Sequence, residues 1–262
     1  YFLILNSFYG LLLILTNPEL IRRKQEIKVN DLYNILPLDL VPPVSIIIPA
    51  YNEADSIRET IEEIIAVCKN AEILKYEIIV VNDGSTDGTA EKLNDDSLVV
   101  IHHPHNIGYG RSLKDGIKAA KSDIVALVDS DTIWDTDTLK NGLPPFHNKK
   151  VAGVGTYQSV QNPKTLAQKI FDIHLDLRYM DDFAFLAASG DALNCLSGRT
   201  AFYRRKIVLP MLPDLINETF MGKPVISGDD KRLTYLVLAT GWKVKYQSNS
   251  HVSTPGMADL GS

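Results

Sequence analysis

The stretch Val44-Ser-Ile-Ile-Ile-Pro-Ala-Tyr-Asn-Glu53 decides the fold class, because a short β-branched run ends abruptly in polar residues. Such a run is typical of a strand that is buried on both faces of a sheet. Residues 77–81 form a similar run that ends in Asn-Asp-Gly-Ser, and residues 124–128 form another that ends in Asp-Ser-Asp-Thr. The first stretch therefore predicts the opening strand of a repeated strand-and-helix pattern.

Between these strands the sequence has the spacing of amphipathic helices. A helix capped by Asp55 or Ser56 would carry on one face Ile57, Ile61, Ile64, Ile65 and Cys68. Residues 86–93 and 112–121 are predicted as two more helices, and residues 98–101 as a further strand. Because strands and helices alternate with short connections, we expect an α/β domain with a mostly parallel sheet and flanking helices.

The second half of the chain is less regular. Residues 166–183 are predicted as helical and residues 192–202 as extended. Residues 230–240 are predicted as a helix, with Gly241 at its C-terminal end.

Composition limits the classes of protein to consider. The 262 residues are 45% hydrophobic and 23% charged, which excludes general disorder. The net charge of -5 argues against nucleic acid as a partner, since proteins that bind phosphate backbones are usually basic. Cys68 and Cys195 form neither a disulfide framework nor a metal-ligand spacing, which fits a reducing compartment.

The first segment of the chain is strongly apolar. Residues 1–18 carry no charge and, as a helix, would span roughly 27 Å, close to the thickness of the bilayer core. The basic residues Arg22, Arg23 and Lys24 follow, which places this flank on the cytoplasmic side. We expect the C-terminal part of a transmembrane helix here, with a buried core helix as the alternative. Residues 19–43 are predicted as a connector, and Tyr1 in place of Met suggests a piece of a longer chain.

The ends of the three main strands should meet, because ligands bind at the carboxyl ends of strands in open parallel sheets. Asp129 and Asp131 are the sharpest signal among them: alternate residues of an extended segment point the same way, so both carboxylates face one volume. Carboxylate pairs suit hard cations such as Mg²⁺ or Mn²⁺, which can bridge them to a diphosphate. A solvated acidic turn is the alternative.

Three neighbouring stretches are weaker signals. Asp83-Gly-Ser-Thr-Asp-Gly88 could bind a base or ribose, or could be an ordinary turn that caps a helix. His102, His103 and His105 lack a partner Cys or Glu at metal-ligand spacing, so we interpret them as solvated loop histidines. In the stretch Asn106-Ile-Gly-Tyr-Gly-Arg111, helix N–H groups could meet a phosphate and Arg111 or Lys114 could pair with it.

Gly228-Asp-Asp230 precedes the last predicted helix. We expect the helix N-terminus to lower the pKa of a carboxyl there and keep it ionised, as a general base must be. Plain helix capping is the alternative. The stretch from Cys195 to Arg205 has no spacing that demands chemistry.

Taken together, these motifs resemble the family 2 glycosyltransferases with the GT-A fold. The resemblance rests on residues 45–53, 80–89 and 128–132, which occur in the order that the family uses, and runs from about residue 44 to 256. Within the family, the chain is similar to the processive membrane synthases, above all hyaluronan synthase and chitin-synthase-like enzymes. The resemblance implies that residues 44–262 form a GT-A domain.

The resemblance also implies roles for individual residues. The donor UDP-sugar would be bound by Pro49, Ala50, Tyr51, Asn52, Glu53, Asp83, Gly84, Asn106, Arg111, Asp129 and Ser130. The acceptor sugar would be bordered by Cys195, Ser197, Gly198 and Asp229. Asp129 and Asp131 would bind Mn²⁺ or Mg²⁺, and Asp230 would be the general base of an inverting transfer.

The implied protein is a membrane-bound synthase that extends a β-linked polysaccharide. It would lie in the plasma (inner) membrane with its catalytic domain on the cytoplasmic side, and its partners would be the UDP-sugar, a glycan acceptor and lipid. Two departures stand against this. The family's Q-x-x-R-W motif is absent, which we attribute to truncation before that region, and Arg199 replaces the proline of hyaluronan synthases.

Three alternatives stay open. The chain could be a non-processive transferase that moves one sugar to a lipid phosphate or another acceptor. It could be a nucleotidyltransferase, which also combines an α/β sheet with paired aspartates. It could also be a non-catalytic nucleotide-sugar binding module, although Asp230 beside a complete donor site argues against that.

Overall fold

The structure is a computed structural model that describes residues 42–71, 75–183, 186, 193–225 and 228–256. Within those ranges no helix combines the length and the hydropathy needed to cross a bilayer. Residues 1–18, where we predict a membrane segment, and most of the connector lie outside the described residues.

The described residues form a central eight-stranded sheet. Its strands are β1 (Val44–Ala50), β2 (Tyr76–Asn82), β3 (Leu98–His102), β4 (Ile124–Val128), β5 (Ile133–Trp134), β6 (Val151–Val160), β7 (Thr200–Arg204) and β10 (Lys243–Thr254). They lie side by side in the order β3-β2-β1-β4-β7-β6-β10-β5. A separate two-stranded hairpin pairs β8 (Thr219–Phe220) with β9 (Lys223–Pro224).

The sheet is mixed, and its first four strands match the parallel arrangement predicted from the sequence. β1 pairs in parallel with β2 and β4, and β2 pairs in parallel with β3. β7 runs antiparallel to both β4 and β6, and β5 antiparallel to β10. The alternation of strands and helices predicted the first half, whereas β6 and β10 were not predicted.

The helices largely follow the predicted ranges. They are α1 (Ile57–Asn70), α2 (Thr89–Lys92), α3 (Tyr109–Ala119), α4 (Thr138–Gly142), α5 (Leu166–Asp176), α6 (Arg205–Val208), α7 (Leu212–Ile216) and α8 (Asp229–Ala239), with a π-helical continuation of α5 at Leu177–Phe183 and 3₁₀ turns at Pro144–His147 and Leu209–Met211. The second helix is shorter than the predicted 86–93, because the chain before it is not helical: Gly88 has φ +91°, and the Asp87 carboxylate accepts from the Thr89 backbone N–H at 3.0 Å. Gly241, at φ +82°, follows the end of α8 as predicted.

Two hydrophobic cores lie on opposite faces of the sheet, because successive side chains of a strand point to opposite faces. Ile46 and Ile48 of β1 belong to the core that contains the apolar side chains of α1, while Ile47 belongs to the core that contains those of α3 and α8. The approach of α3 to β1 depends on Gly116, since a Cβ there would overlap the Ile47 side chain. The two cores hold the carboxyl ends of β1, β2 and β4 in fixed positions along one edge.

Candidate active site

A cavity of about 680 Å³ lies where β1, β2 and β4 end. Its lining residues are Pro49, Ala50, Tyr51, Glu53, Asp83, Asn106, Gly108, Tyr109, Ser112, Asp129, Ser130, Asp131, Ser197, Gly198, Arg199, Gly228, Asp229 and Asp230. The predicted meeting of the three strand ends is confirmed, and the segment before β7 and the start of α8 complete the walls.

Asp129 and Asp131 follow directly after β4, and two contacts fix their loop. The Asp129 backbone N–H donates to the carbonyl of Arg199, which brings the segment before β7 against the loop. Thr60 of α1 donates its hydroxyl to the carbonyl of Ser130 at 2.7 Å. Both carboxylates line the cavity, but Ser130 lines it too, and the Thr132 N–H donates to the Asp129 carbonyl. Residues 129–132 therefore form a turn, and the extended segment that we predicted there is wrong.

The negative charge of this cavity is poorly balanced. Burial raises the pKa of Asp129, and the charges of Asp131 and Asp230 raise it further, against the opposing effects of the Tyr109 hydroxyl and of Arg199. Among the described lining residues, Arg199 is the one cationic side chain. This set of hard oxygen ligands fits a divalent cation accompanied by a diphosphate. Asp129 and Asp131 are the residues that could hold such a cation, although no cluster of three or more metal-ligating side chains occurs in the described ranges.

Asp230 lies in the first turn of α8 and contacts the segment before β7. The Cys195 thiol donates to its Oδ2 at 3.3 Å. Thr234, one turn later, donates its hydroxyl to the Asp230 carbonyl and accepts from the Leu196 backbone N–H at 2.8 Å. Tyr203 of β7 reaches the same hydroxyl at 3.2 Å. These bonds fix the start of α8 relative to the cavity.

The expected lowering of a carboxyl pKa at this helix N-terminus is wrong for Asp229. Burial raises the pKa of Asp229, and the neighbouring charges of Asp230 and Glu218 raise it further. Burial and like charges therefore outweigh the field of the helix terminus, which is worth only about 0.3–1 kcal/mol at an exposed site.

The Asp83 carboxylate is hydrogen-bonded by the loop that precedes α3. Its Oδ1 accepts from the Ile107 backbone N–H at 3.0 Å and lies 2.7 Å from Nδ1 of His103, and its Oδ2 accepts from the Gly108 N–H at 2.9 Å. Burial alone would raise its pKa, but these hydrogen bonds outweigh it and lower the pKa. The N–H groups for which we expected a phosphate therefore bind a carboxylate of the protein itself.

His103 also corrects the interpretation of the histidines as solvated. Its side chain is only 9% exposed and lies between Asp83 and Asp115. His102 and His105, by contrast, are exposed residues.

Four predicted site residues lie outside the cavity lining. Asn52, at φ +56°, accepts the Thr86 backbone N–H with its side chain and so joins the loops after β1 and β2. Gly84 packs against the backbone of His105. Exposed Arg111 donates to the Ile107 carbonyl within its own turn, and buried Cys195 reaches the site through Asp230.

Five lining residues were absent from the predicted set, namely Gly108, Tyr109, Ser112, Arg199 and Gly228, and the side chains of Tyr109 and Arg199 make specific contacts there. The Tyr109 hydroxyl donates to Asp129 Oδ1 at 2.9 Å. Arg199 donates to Gln158 at 3.1 Å and stacks its guanidinium 5.4 Å from the Phe171 ring centroid. Tyr109 lies in the glycine-rich stretch 106–111, and its hydroxyl could have identified it as a site residue. Arg199 was identified from the sequence only as a difference from the proline of hyaluronan synthases.

Most of the chain matches a known protein family. Residues 42–257 match the family described as glycosyltransferase like family 2. The chain belongs to the family 2 glycosyltransferases. The match begins beside β1 and includes every element that lines the cavity.

Curated relatives of this family 2 glycosyltransferase include two kinds of transferase. It is 30% identical over 223 residues to a hyaluronan synthase of Streptococcus pyogenes, a match that covers 80% of this chain and 52% of that protein. It is 27% identical over 216 residues to an N-acetylglucosaminyltransferase of Azorhizobium caulinodans, which covers 80% of this chain and 54% of that one. The chain thus spans about half the length of the curated relatives it matches.

Solved structures show that the predicted GT-A fold is correct for the described domain. A mannosyltransferase from Pyrobaculum calidifontis, solved with GDP-Man and Mn²⁺, matches with a TM-score of 0.60 and 20% identity over 94% of this chain and 68% of that chain. TarS of S. aureus matches with a TM-score of 0.55 and 21% identity over 81% of this chain and 60% of that one. At these identities the likeness establishes the fold alone.

Proposed function

We propose that this family 2 glycosyltransferase is an inverting enzyme that transfers sugar from a UDP-sugar to a growing β-linked polysaccharide. One observation carries the proposal: a single cavity contains both the paired carboxylates Asp129 and Asp131 and the carboxylate of Asp230. The paired carboxylates are suited to bind a cation together with the donor diphosphate. The Asp230 carboxylate is suited to accept a proton from the acceptor. The hyaluronan synthase relative supports a polymer product.

In the proposed reaction, Asp230 removes the proton from an acceptor hydroxyl as its oxygen attacks the donor anomeric carbon. The bond from that carbon to the diphosphate breaks, and UDP leaves. Attack opposite the leaving group inverts the anomeric centre, so an α-linked donor gives a β-glycoside. Cys195 donates to Asp230 Oδ2 and orients the carboxylate, and the bonds of Thr234 fix the helix end that carries it.

Asp129 and Asp131 would hold Mn²⁺ or Mg²⁺. A bound cation neutralises charge that develops on the leaving diphosphate. The Tyr109 hydroxyl donates to Asp129 Oδ1 and limits the orientations of that carboxylate. Asp83, which also lines the cavity, would accept from the uracil base through the acceptor capacity that its protein donors leave free.

We further propose that the enzyme works on the cytoplasmic surface of the plasma (inner) membrane. Residues 1–18 are uncharged and followed by basic residues. In addition, α5 and its continuation present an exposed apolar stripe made of Leu166, Ile170, Ile173, Leu177 and Met180. The carboxylate of Asp176 is bonded to Tyr157, whereas Lys169 is exposed beside the stripe, which suits anionic lipid.

A second candidate is transfer of one sugar to a lipid phosphate or another acceptor. Arg199 favours it, because this cation lines the cavity at a position where hyaluronan synthases have proline. A cation in the acceptor region suits an acceptor that carries a phosphate.

The experiment uses the full-length protein in membranes with Mn²⁺ or Mg²⁺. UDP release is followed with UDP-N-acetylglucosamine, UDP-glucuronate and UDP-glucose, singly and in pairs. Release that requires two donors indicates an alternating polymer, and release with one donor indicates a homopolymer or a single transfer, which product length separates. The absence of UDP release from every donor in the presence of metal would contradict the proposal.

A further inference from the structure

A buried histidine connects the donor side of the cavity to α3. His103 Nδ1 lies 2.7 Å from Asp83 Oδ1, and His103 Nε2 lies 3.4 Å from Asp115 Oδ2. The His103 side chain is almost completely enclosed, and the Asp83 side chain is only 5% exposed. Each ring nitrogen therefore faces a carboxylate, although only the contact with Asp83 has hydrogen-bond geometry, and Nε2 has no hydrogen-bond partner.

The bonds to Asp83 divide its two oxygens into different roles. Oδ1 receives both the His103 contact and the Ile107 N–H, so its acceptor sites are filled. Oδ2 receives the Gly108 N–H alone among the described groups, and a carboxylate oxygen has about two acceptor sites. The free acceptor capacity of Asp83 thus lies on the oxygen that His103 does not hold.

We propose that His103, held from its other side by Asp115, is a positioning residue that fixes the orientation of the Asp83 carboxylate for the donor nucleotide. The inference rests on the proposed function, in which Asp83 accepts from the nucleotide base. His103 does not line the cavity, so it acts through Asp83 and not by touching the donor. Its loss should weaken donor binding and leave the chemical step unchanged.

The test compares two amide variants of the full chain. His103→Asn keeps an N–H donor near the position of Nδ1 and still reaches Asp83, whereas the longer His103→Gln moves its amide toward Asp115. His105→Gln is the matched control, since His105 is exposed in the same loop. The affinity for UDP is measured by calorimetry with Mn²⁺ present, together with kcat and the donor KM.

We expect His103→Gln to raise the UDP dissociation constant and the donor KM about tenfold, the usual scale for a lost hydrogen bond to a charged group. The kcat should stay within about twofold, and His103→Asn should recover most of the affinity. Asp115→Asn should give a smaller loss in the same direction.

Equal UDP affinity in the wild type and His103→Gln would overturn the inference while the proposed function stands. A loss of kcat at unchanged KM would also overturn it, because it would place His103 in the chemical step. A wild-type protein that binds no UDP would contradict the proposed function and this inference together. Thermal unfolding of both amide variants is measured beside the UDP affinity, so that a loss of the Asp83 contact is distinguished from a general loss of folding.

Discussion

The Cys195 thiol donates a hydrogen bond to the Asp230 carboxylate, with Sγ 3.3 Å from Oδ2. These two residues are 35 positions apart, and the bond joins the segment before β7 to the first turn of α8. Cys195 is buried, and burial together with the charge of Asp230 raises the pKa of its thiol to about 12. The thiol is therefore protonated at neutral pH and acts as a donor to the proposed base.

Replacing Cys195 by Ala should lower kcat several-fold with little change in the donor KM. Asp230 loses a hydrogen-bond donor that restricts the orientation of its carboxylate, while the UDP-sugar site is untouched. Such a hydrogen bond is worth on the order of 1 kcal/mol. Steady-state UDP release measures both constants. Cys195→Ser keeps a donor and should retain most of the activity, and equal rates for the two variants would contradict an orienting role.

Alkaline pH should destabilise the protein through its thiols. Burial raises the folded-state pKa of both Cys68 and Cys195 to about 12, against 9.0 for an ordinary thiol. Below pH 9 both states keep the proton, so the thiols contribute no pH dependence. Between about pH 9 and 12 the unfolded thiols ionise while the folded ones do not, so the free energy of unfolding falls.

Urea unfolding at a series of alkaline pH values checks this prediction. The variant Cys68→Ala should lose part of the slope above pH 9, because one of the two raised thiols is absent. An unchanged slope would mean that other groups account for the alkaline loss.

The variant Asp230→Asn should nearly abolish transfer while UDP binding stays close to that of the wild type. An amide cannot accept the acceptor proton, and a general base contributes on the order of 10²–10⁴ in rate. UDP release and calorimetric UDP affinity are measured side by side. Asp214→Asn, at an exposed position of α7, is the control, and retained transfer in Asp230→Asn would remove Asp230 from its proposed role.

Gly198→Ala and Tyr109→Phe should lower activity through the same hydrogen bond. A Cβ on Gly198 would lie 3.0 Å from the Tyr109 hydroxyl and 3.3 Å from Asp129 Oδ1, which is tighter than ordinary contact, so we expect one of these groups to shift and their hydrogen bond to weaken. Tyr109→Phe removes the hydroxyl outright. We expect each variant to reduce kcat about tenfold, and the double variant to be no worse than the more damaged single one. Additive losses in this double-mutant cycle would show that Gly198 matters for another reason.

The stripe on α5 should face lipid in the membrane-bound protein. A spin label at Ile173→Cys in the full chain, reconstituted with anionic lipid, should be more accessible to oxygen than to a water-soluble nickel complex. A label at Glu62→Cys, on the exposed face of α1, should show the opposite preference. A label at residue 173 that is protected from both reagents would mean that protein covers the stripe.

Much of the fold could be predicted because the first half is encoded by local patterns. The β-branched runs ending in polar residues gave β1, β2 and β4, and their common edge gave the position of the cavity. β6 and β10 were not predicted, because neither strand is bounded by a recognisable motif. The two strands pair with each other across a long separation in sequence.

The candidate site divides in the same way. The position of Asp129 and Asp131 at the cavity was predictable, because they directly follow the predicted strand β4, although the segment that carries them is a turn and not extended. The role of the loop before α3 was not predictable from the sequence. Its N–H groups donate to the carboxylate of Asp83, which lies more than twenty residues earlier in the chain.

The sequence by itself determined the order of strands and helices in the first half, the edge of the sheet that carries the cavity and the position of Asp129 and Asp131 there, since each follows from local patterns that mark where a strand begins and ends. The tertiary structure decided which groups share a volume: His103 with Asp83, Tyr109 with Asp129, and Cys195 with Asp230. It also reversed the expected direction of the pKa shift at Asp229. Burial and Coulomb interactions depend on distance in space, and residues twenty or more positions apart acquire that distance only when the chain folds.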